Sequence, residues 1–594
     1  PTESESPTPF ADGASYNVFP VPVESPLHGQ RKIVSNPADP TASPYGWHDT
    51  NGVPGAEYTI TRGNNTYTYL DANADNRPDT IVVPNGGANL SFNYTFNPNL
   101  EPSKSRAAAI TQLFYMNNIM HDFSYQYGFT EAAGNFQQNN YGKGGRPNDA
   151  VNAEAQDGEG TDNANFAAGV DGNPGRMQMY IWSGAGGNSY IEAPAGIAGK
   201  YPIRAASFGQ RLSTIPLSGE IAVGIDASTN ANLGCQTLLN PANLKGKIVL
   251  IDRGTCTFER KALNAQLAGA IACVICNFEN TLPAGLADDA AVSGVTIPAV
   301  GMRSGDCELM KQALANRETV RLTLVAPEIN GPDSLDASFD NGIVAHEYAH
   351  GISIRLTGGP SVSTCLLNDE QMGEGWSDFF ALVTTVKPDQ NGKLARGIGN
   401  YVLYEDLQGT GIRRAAYSTD LKVNNQTYDA IIGTRAGSNP SGSVAPHPVG
   451  EVWAATLWDL YWAFVDKYGW DADLYRGKGG NNIAIQLVMD GLKLQNCSPG
   501  FIDGRDAILA ADAINNGGAN ECLIWEVFAR RGLGWSADQG STNERNDGLE
   551  AFDKRPECIK TLKVEKVVNG IVNAGDTINV TLLVYNHKDT PVNT

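Results

Sequence analysis

Residues 346–350 read H-E-Y-A-H, an H-E-x-x-H motif inside a stretch with helical character. Residues four apart share one face of a helix, so both imidazoles can reach a single zinc ion at about 2.0–2.1 Å while Glu347 approaches the water bound to it. The alternative is an ordinary helix with two buried histidines. Because the chain has only seven histidines, the pattern is rare by chance and favours zinc ligation by His346 and His350, with Glu347 as general base.

A catalytic zinc site also needs a third protein ligand and an open position. Residues 373–378 read G-E-G-W-S-D, and Glu374 stands at the start of a second predicted helix, downstream of the motif. Asp378 follows one turn later, where it can hydrogen-bond a histidine ligand and fix its tautomer. Acidic residues are also common in a first helical turn as caps. The upstream motif nevertheless favours Glu374 as the third ligand.

The rest of the chain must hold these two helices together. Helical spacing dominates residues 340–534, and a further helix with one buried stripe (Ile110, Leu113, Phe114, Ile119) is predicted over residues 105–127. Residues 1–105 alternate in short runs typical of strands and turns, and residues 177–182 predict an edge strand. A sheet-rich first part and a helical second part, with a cleft between them, are therefore expected.

Bulk properties exclude some partners. A chain of 594 residues predicts more than one domain, and its formal net charge of −21, without a lysine or arginine cluster, argues against nucleic acid. No apolar run of about 18 residues predicts a membrane span. Because the chain starts at Pro1 rather than at a methionine, we predict that a preceding segment is removed, and we expect a soluble monomer.

Longer strings carry a family resemblance. H-E-x-x-H followed by E-x-x-x-D is the pattern of thermolysin-like, glutamate-ligated zinc peptidases. Residues 346–360 and 373–378, with Y-N-V-F-P-V-P-V-E at 16–24 and G-W-H-D-T-N at 46–51, resemble the fungalysin family. The resemblance covers about residues 16–200 and 330–555. It implies a secreted zinc endopeptidase that acts on proteins or peptides and is made with an amino-terminal propeptide, later removed.

The resemblance assigns further roles. His447 matches the histidine that stabilises the oxyanion formed on the substrate carbonyl, although it could simply cap a helix. The aspartate expected to orient it is absent from residues 437–446. Arg413 and Tyr417 are either substrate or oxyanion contacts or solvated loop residues. The segment that contains Asn163, Ala164 and Asn165 resembles the edge strand that pairs with extended substrate in thermolysin-like enzymes, and an asparagine-rich turn is the alternative.

The sequence contains a candidate for a second metal site. Asp71, Asn73, Asp75 and Asp79 place oxygen side chains at alternating positions, as calcium loops do. The loop lacks a glycine at its sixth position and a closing glutamate, which complete the better-known calcium motif. Calcium binding by these four side chains is therefore one of two interpretations, and an ordinary turn is the other.

Residues 201–328 have a different texture, with a strand, a helix and a strand predicted in succession. G-K-I-V-L-I-D-R-G-T-C-T-F-E-R-K at 246–261 and I-P-A-V at 297–300 resemble a protease-associated domain. Such domains are accessory modules, so no chemistry is expected from it. The same resemblance pairs Cys235 with Cys256. Cys273 and Cys276 show C-x-x-C spacing in an apolar run and are interpreted as packed thiols, not as a metal or redox pair.

These observations predict an α+β protein: a thermolysin-like, two-part peptidase with a mixed sheet and a helical subdomain. Its parts are residues 1–200 and 329–560, interrupted by an α/β protease-associated domain at 201–328 and followed by a β-strand tail at 561–594, a fragment of a further domain. Two other functions remain: a catalytically inactive binding or adhesion protein, and a zinc exopeptidase. The intact Glu347 argues against the first, and the products of cleavage would separate the second.

Overall fold

The computed structural model describes residues 12–183, 188–228, 230–278, 282–283, 286, 289, 291–326, 332, 334–432 and 446–558, and the backbone of three short strands after residue 559. The strands are β1 Ser15–Val18, β2 Lys32–Ser35, β3 Thr66–Leu70, β4 Ser91–Phe92, β5 Val151–Thr161, β6 Ala164–Ala167, β7 Arg176–Ser183, β8 Asn188–Ala193, β9 Gly199–Pro202, β10 Arg204–Ala205, β11 Leu217–Val223, β12 Ile248–Asp252, β13 Ala272–Cys276, β14 Ala299–Met302, β15 Arg321–Val325, β16 Ser334–Asp336, β17 Lys560–Lys563, β18 Leu583–Tyr585 and β19 Pro591–Val592. The α-helices are α1 Arg106–Gln126, α2 Pro241–Leu244, α3 Phe258–Leu267, α4 Ser304–Ala315, α5 Asn341–Leu356, α6 Gly373–Thr384, α7 Pro446–Tyr468, α8 Gly480–Leu494, α9 Phe501–Asn516 and α10 Glu521–Arg530.

A five-stranded mixed sheet forms the first part of the molecule. Its order is β16-β7-β5-β3, and β6 pairs with β7 beside β16. The prediction that residues 177–182 form an edge strand is wrong, because β7 has β5 on one side and β6 and β16 on the other. Those partners are brought to it by the fold and leave no local signal. Among the described strands, β6 has a partner on one side only.

Helix α1 packs between this sheet and α5 and is buried from Ala108 to Ser124. The prediction of a single buried stripe on this helix is therefore wrong, since elements cover every face. Its polar residues find partners in the interior: the Gln112 side-chain amide donates to Asn341 Oδ1 at 2.8 Å, and its carbonyl accepts from Phe19 N at 2.8 Å. Gln112 thereby fixes the start of α5, the helix that carries the H-E-x-x-H motif.

In the helical part, α5 packs against α6, and α6 packs against α7. Asp340 caps α5 by accepting from Ile343 N at 3.1 Å. Helices α6 and α7 cross at Gly375 and Gly450, where an added Cβ would lie 2.3 Å from Gly450 O or 2.4 Å from Glu374 Cβ, respectively. Glycine is required at both positions because the two helices could not otherwise approach so closely. This crossing places the start of α7 beside Glu374.

Residues 188–325 form a separate three-layer unit around an eight-stranded sheet of order β10-β14-β13-β12-β11-β15-β8-β9. Strands β11 to β14 are parallel, and successive residues of β12 point into two different cores, Ile248 and Leu250 into one and Val249 and Ile251 into the other. The sequence predicts that this unit starts at residue 201. Because β8 and β9 belong to its sheet, the unit includes residues from Asn188 onward.

The cysteines of this unit correct one prediction and confirm another. Cys235 and Cys256 form a disulfide, as predicted, whereas Cys276 is bonded to Cys307 at the start of α4 and Cys273 is a buried free thiol. The interpretation of Cys276 as a packed thiol is wrong. Residues three apart in a strand point to opposite faces, so Cys273 enters one core while Cys276 meets α4 on the other.

Two further disulfides, Cys365–Cys497 and Cys522–Cys558, tie the helical part together. After it, β17, β18 and β19 form a three-stranded antiparallel sheet. Most of the predicted tail, including residues 573–582, lies outside the described residues. None of the helices in the described ranges is both long and apolar enough to cross a lipid bilayer.

Candidate metal centre

Three side chains converge at the crossing of α5 and α6. The ligand atoms of His346, His350 and Glu374 all lie within 4.8 Å of one another. Nε2 of His346 is 3.1 Å from Nε2 of His350 and 3.1 Å from Glu374 Oε2, and Nε2 of His350 is 3.8 Å from Glu374 Oε1. Two imidazole nitrogens and one carboxylate, converging from two helices, are the donor set of a catalytic zinc site. The residues present therefore fit zinc.

Asp378 orients one of these histidines. Its Oδ1 lies 2.7 Å from His346 Nδ1, so the ring donates its Nδ1–H and turns Nε2 toward the cluster. Arg413 donates to both oxygens of Asp378, at 2.6 and 2.7 Å, and to Glu374 at 3.4 Å, while the Tyr417 hydroxyl donates to Asp378 Oδ2. Burial opposes ionisation of Asp378, but the Arg413 guanidinium outweighs it and holds the pKa of this carboxyl well below its usual range.

Glu347 faces the same space from the next position on α5. Its side chain is buried, and its Oε2 has no hydrogen-bond partner among the described residues. Burial raises the pKa of Glu347 to about 7. A buried carboxylate oxygen that no described group satisfies, beside two imidazoles and a second carboxylate, is available to a water or substrate atom in the cleft.

His447 lies at the first turn of α7, with Nε2 3.4 Å from Glu374 Oε1. It therefore shares the cluster with the candidate ligands, and half of its side chain remains exposed to the cleft. Of residues 437–446, the segment in which the sequence shows no orienting aspartate, all but Pro446 lie outside the described residues. The position of His447 results from the close glycine crossing of α6 and α7.

A cleft with a volume of about 530 Å³ opens onto this cluster. Arg413 lines it, whereas Tyr417 does not and is fully buried against Asp378. The lining of the cleft also includes an apolar group of side chains from outside the 188–325 unit, and the start of β6 with the preceding turn. The apolar group consists of Ile343, Ile354, Ile398, Leu403 and Ile412. The residues at β6 and its preceding turn are Asp162, Asn163, Ala164, Asn165 and Phe166.

The 188–325 unit, for which the sequence predicts no part in the chemistry, also contributes to the lining of the cleft. Arg204, Arg253, Asn277, Phe278 and Leu282 line the cleft there. Arg253 lies within the string that carries the resemblance to a protease-associated domain. No local sequence pattern distinguishes these residues, because their place in the cleft depends on how the 188–325 unit packs against the rest of the chain.

The structure groups Asp71 differently from the predicted calcium loop. Asp71 accepts from the backbone of Asp75 and Asn76 at 3.1 and 2.8 Å, and Asp79 accepts from Ala72 N at 2.9 Å, so these carboxylates close the loop as a turn. Within the described residues, the carboxylates that approach Asp71 as possible ligands are those of Glu154 and Asp157, and those of Asp75 and Asp79 are not among them. Parallel pairing of β3 with β5 explains this, because it sets Leu70 opposite Ala155.

A buried acid on the approach to α6 gives a testable pH dependence. The Tyr428 hydroxyl donates to Glu370 Oε1 at 2.6 Å, and burial raises the pKa of Glu370 to about 8. The protonated Glu370 side chain is the form that the folded state favours. Its contribution to the free energy of unfolding is fully present below the ordinary glutamate pKa of about 4.3 and is lost as the pH rises through about 8. Between pH 5 and 9, we expect the wild type to lose on the order of 2 kcal/mol more unfolding free energy than Glu370→Gln. Urea unfolding across this pH range measures it, and parallel pH profiles for the two proteins would contradict it.

The chain is similar in sequence to a known protein family and to curated relatives. The family model for fungalysin metallopeptidase (M36) matches residues 15–537. Extracellular metalloproteinase 5 of Arthroderma otae is 31% identical over 545 residues, covering 90% of this chain and 60% of the relative. Extracellular metalloproteinase MEP of Pyricularia oryzae is 31% identical over 540 residues, covering 89% and 60%. The chain thus spans about 60% of the length of these curated relatives. A zinc aminopeptidase structure from Bacillus subtilis is 24% identical over 27% of this chain and 34% of that chain, with a TM-score of 0.19, too low to support an inference.

Proposed function

The chain belongs to the fungalysin metallopeptidase family, and from that premise we propose that it is a secreted, zinc-dependent endopeptidase that hydrolyses internal peptide bonds of proteins. The observation that carries the proposal is the convergence of His346, His350 and Glu374 in a cleft that also contains Glu347. The names of the two relatives, both extracellular metalloproteinases, support the location and the reaction class.

We propose the following roles for the residues in the cleft. Zinc held by the three ligands would supply a Lewis acid that polarises the scissile carbonyl and acidifies water. Glu347 takes a proton from the attacking water while the water oxygen bonds to the carbonyl carbon. Glu347 then gives that proton to the amine nitrogen when the C–N bond breaks. His447 donates a hydrogen bond to the carbonyl oxygen as it becomes negative. Asp378 keeps His346 in the tautomer that leaves Nε2 free for the metal.

The substrate is proposed to lie as an extended strand along β6. Asn163, Ala164 and Asn165 are at the cleft, and β6 has no strand partner on that side among the described strands, so backbone pairing with a peptide is available there. Ile343, Ile398 and Ile412 line an apolar region of the cleft. We propose that it receives a hydrophobic side chain of the substrate.

The domain organisation is also a proposal. Residues 188–325 have their own two cores, separate from the core of the rest of the described chain, which supports an inserted protease-associated domain. The peptidase is then split into a sheet-rich first part and a helical second part, on either side of that insertion. For calcium, the proposed ligands are the carboxylates of Asp71, Glu154 and Asp157, which approach one another.

Metal removal tests the proposed function. We expect 1,10-phenanthroline to reduce cleavage of a quenched peptide with blocked ends to background, and one equivalent of zinc to restore it, because hydrolysis depends on the bound metal. Mass spectrometry of the products should show internal fragments. Release of single terminal residues from unblocked peptides, with no internal cleavage, would indicate an exopeptidase instead. A zinc-loaded protein that cleaves nothing would support a binding protein.

A further inference from the structure

One edge of the eight-stranded sheet faces the cleft. Arg253 follows β12 directly, and Asn277 and Phe278 follow β13. Arg204 pairs with Gly301 near the end of β14. Because β12, β13 and β14 are parallel, their carboxyl ends meet at one edge, which is where such sheets commonly present ligand-binding residues. All of these residues except Gly301 line the cleft.

Arg204 is almost completely enclosed at this edge, with 2% of its surface exposed. Within the described part of the chain, its Nε and Nη1 have no hydrogen-bond acceptor. Nη1 is 4.0 Å from Asp162 Oδ1, which is too far for a hydrogen bond, and the guanidinium carbon is 6.0 Å from the centre of the Trp182 ring. The arginine therefore presents two donors that no described group of the chain satisfies.

Such an arrangement costs stability unless a ligand completes it. Burial lowers the pKa of Arg204 to about 10, so the side chain keeps its charge at neutral pH. Asp162 and Glu405 stabilise that charge from a distance, but neither accepts a hydrogen bond from Nε or Nη1. A buried donor without an acceptor costs about 1–3 kcal/mol, more for charged groups. An oxygen entering from the cleft would remove that cost.

The position of Arg204 relates it to the proposed path of the substrate. Asp162, its nearest acidic neighbour, directly precedes Asn163 and Ala164 at the start of β6, and all three line the cleft. A peptide extended along the open side of β6 would pass Arg204 at that end of the strand. Among its described residues, the 188–325 unit adds a second guanidinium, that of Arg253, and no acidic side chain to the lining of the cleft.

We propose that Arg204 is a specificity-determining residue that binds a carboxylate of the peptide substrate, supplied by an acidic side chain or by the free carboxyl terminus. The proposal rests on the proposed peptidase function. A carboxylate fits because a charge-assisted hydrogen bond to arginine is about twice as strong as a neutral one. A site built around such a bond discriminates against an analogue that lacks the charge.

Isosteric peptide pairs test this inference. Three quenched series are compared by kcat/KM: Glu against Gln before the cleaved bond, Glu against Gln after it, and a free carboxyl terminus against a carboxamide. We expect the wild type to prefer the acidic member of one series by about tenfold, and Arg204→Gln to reduce that ratio to about twofold or less. The series that responds identifies the source of the carboxylate. Arg317→Gln, a change at an exposed arginine of the same unit outside the cleft, should leave the ratio unchanged.

Equal cleavage within every pair by the wild type, or an undiminished preference in Arg204→Gln, would overturn the inference. The readout is a ratio for one enzyme sample, so partial loss of folded protein cancels. If Arg204→Gln does not fold, Arg204→Lys keeps the charge but loses the guanidinium donors, and its preference should fall by at least about threefold. A wild type that cleaves neither member of any pair contradicts the proposed peptidase function itself, which distinguishes the two failures.

Discussion

Replacement of Glu347 by Gln is expected to lower kcat for internal peptide cleavage by about 10²–10⁴-fold while leaving zinc content at one ion per chain. The amide has nearly the same shape but cannot take a proton from water. His346, His350 and Glu374 are unchanged, so the metal affinity should persist. The measurement is steady-state hydrolysis of a blocked, quenched peptide, with zinc determined on the same samples by atomic emission.

Glu318→Gln is the matched control, because it makes the same change at an exposed glutamate outside the cleft. It should retain wild-type activity. Activity of Glu347→Gln within about threefold of the wild type would show that another group acts as the base. Loss of zinc from Glu347→Gln would instead mean that this carboxylate contributes to the ligand set, and the roles of Glu347 and Glu374 would need to be reassigned.

The second large effect is expected on stability, from Arg355 in the last turn of α5. Its fully buried guanidinium donates to Asp149 at 3.1 Å and to the backbone carbonyls of Gly134, Gly169 and Asn173 at 2.8, 2.6 and 2.9 Å. Arg355→Ala would remove the donor to the three carbonyl oxygens and the counter-charge of Asp149. We expect a loss of about 3–5 kcal/mol in unfolding free energy, measured by urea denaturation.

Two variants control for this measurement. Arg355→Lys keeps a positive charge but cannot reach four acceptors at once, so its loss should be smaller than that of Arg355→Ala yet above about 1 kcal/mol. Arg317→Ala, at an exposed position, should stay within about 0.5 kcal/mol of the wild type. A change below 1 kcal/mol for Arg355→Ala would contradict the view that this arginine holds the loops beside β6 to the helix of the H-E-x-x-H motif.

The chain's local chemistry could be predicted from the sequence alone. The spacing of His346 and His350 requires only that their segment be helical, and Glu374 and Asp378 stand in the same relation on the next helix. The helices around them, and the strands β12 and β13, also follow from patterns within a few residues. Periodicity and ligand spacing are local properties, so a sequence records them directly.

Features that depend on the packing of distant segments could not be predicted in this way. Cys276 bonds to Cys307, 31 positions along the chain, because α4 packs on the face of β13 that Cys276 enters. The carboxylate of Asp71 approaches those of Glu154 and Asp157, and not those of Asp75 and Asp79, because β3 pairs with β5.

The largest such feature is the cleft itself. From its sequence, the 188–325 unit offers strands, a helix and arginines of no special spacing, which predict no chemistry. Local patterns determined the candidate metal ligands and the elements that carry them. Only the tertiary structure placed Arg204 and Arg253 in the same cleft as those candidates, because that placement depends on how two separately cored parts of the chain pack together.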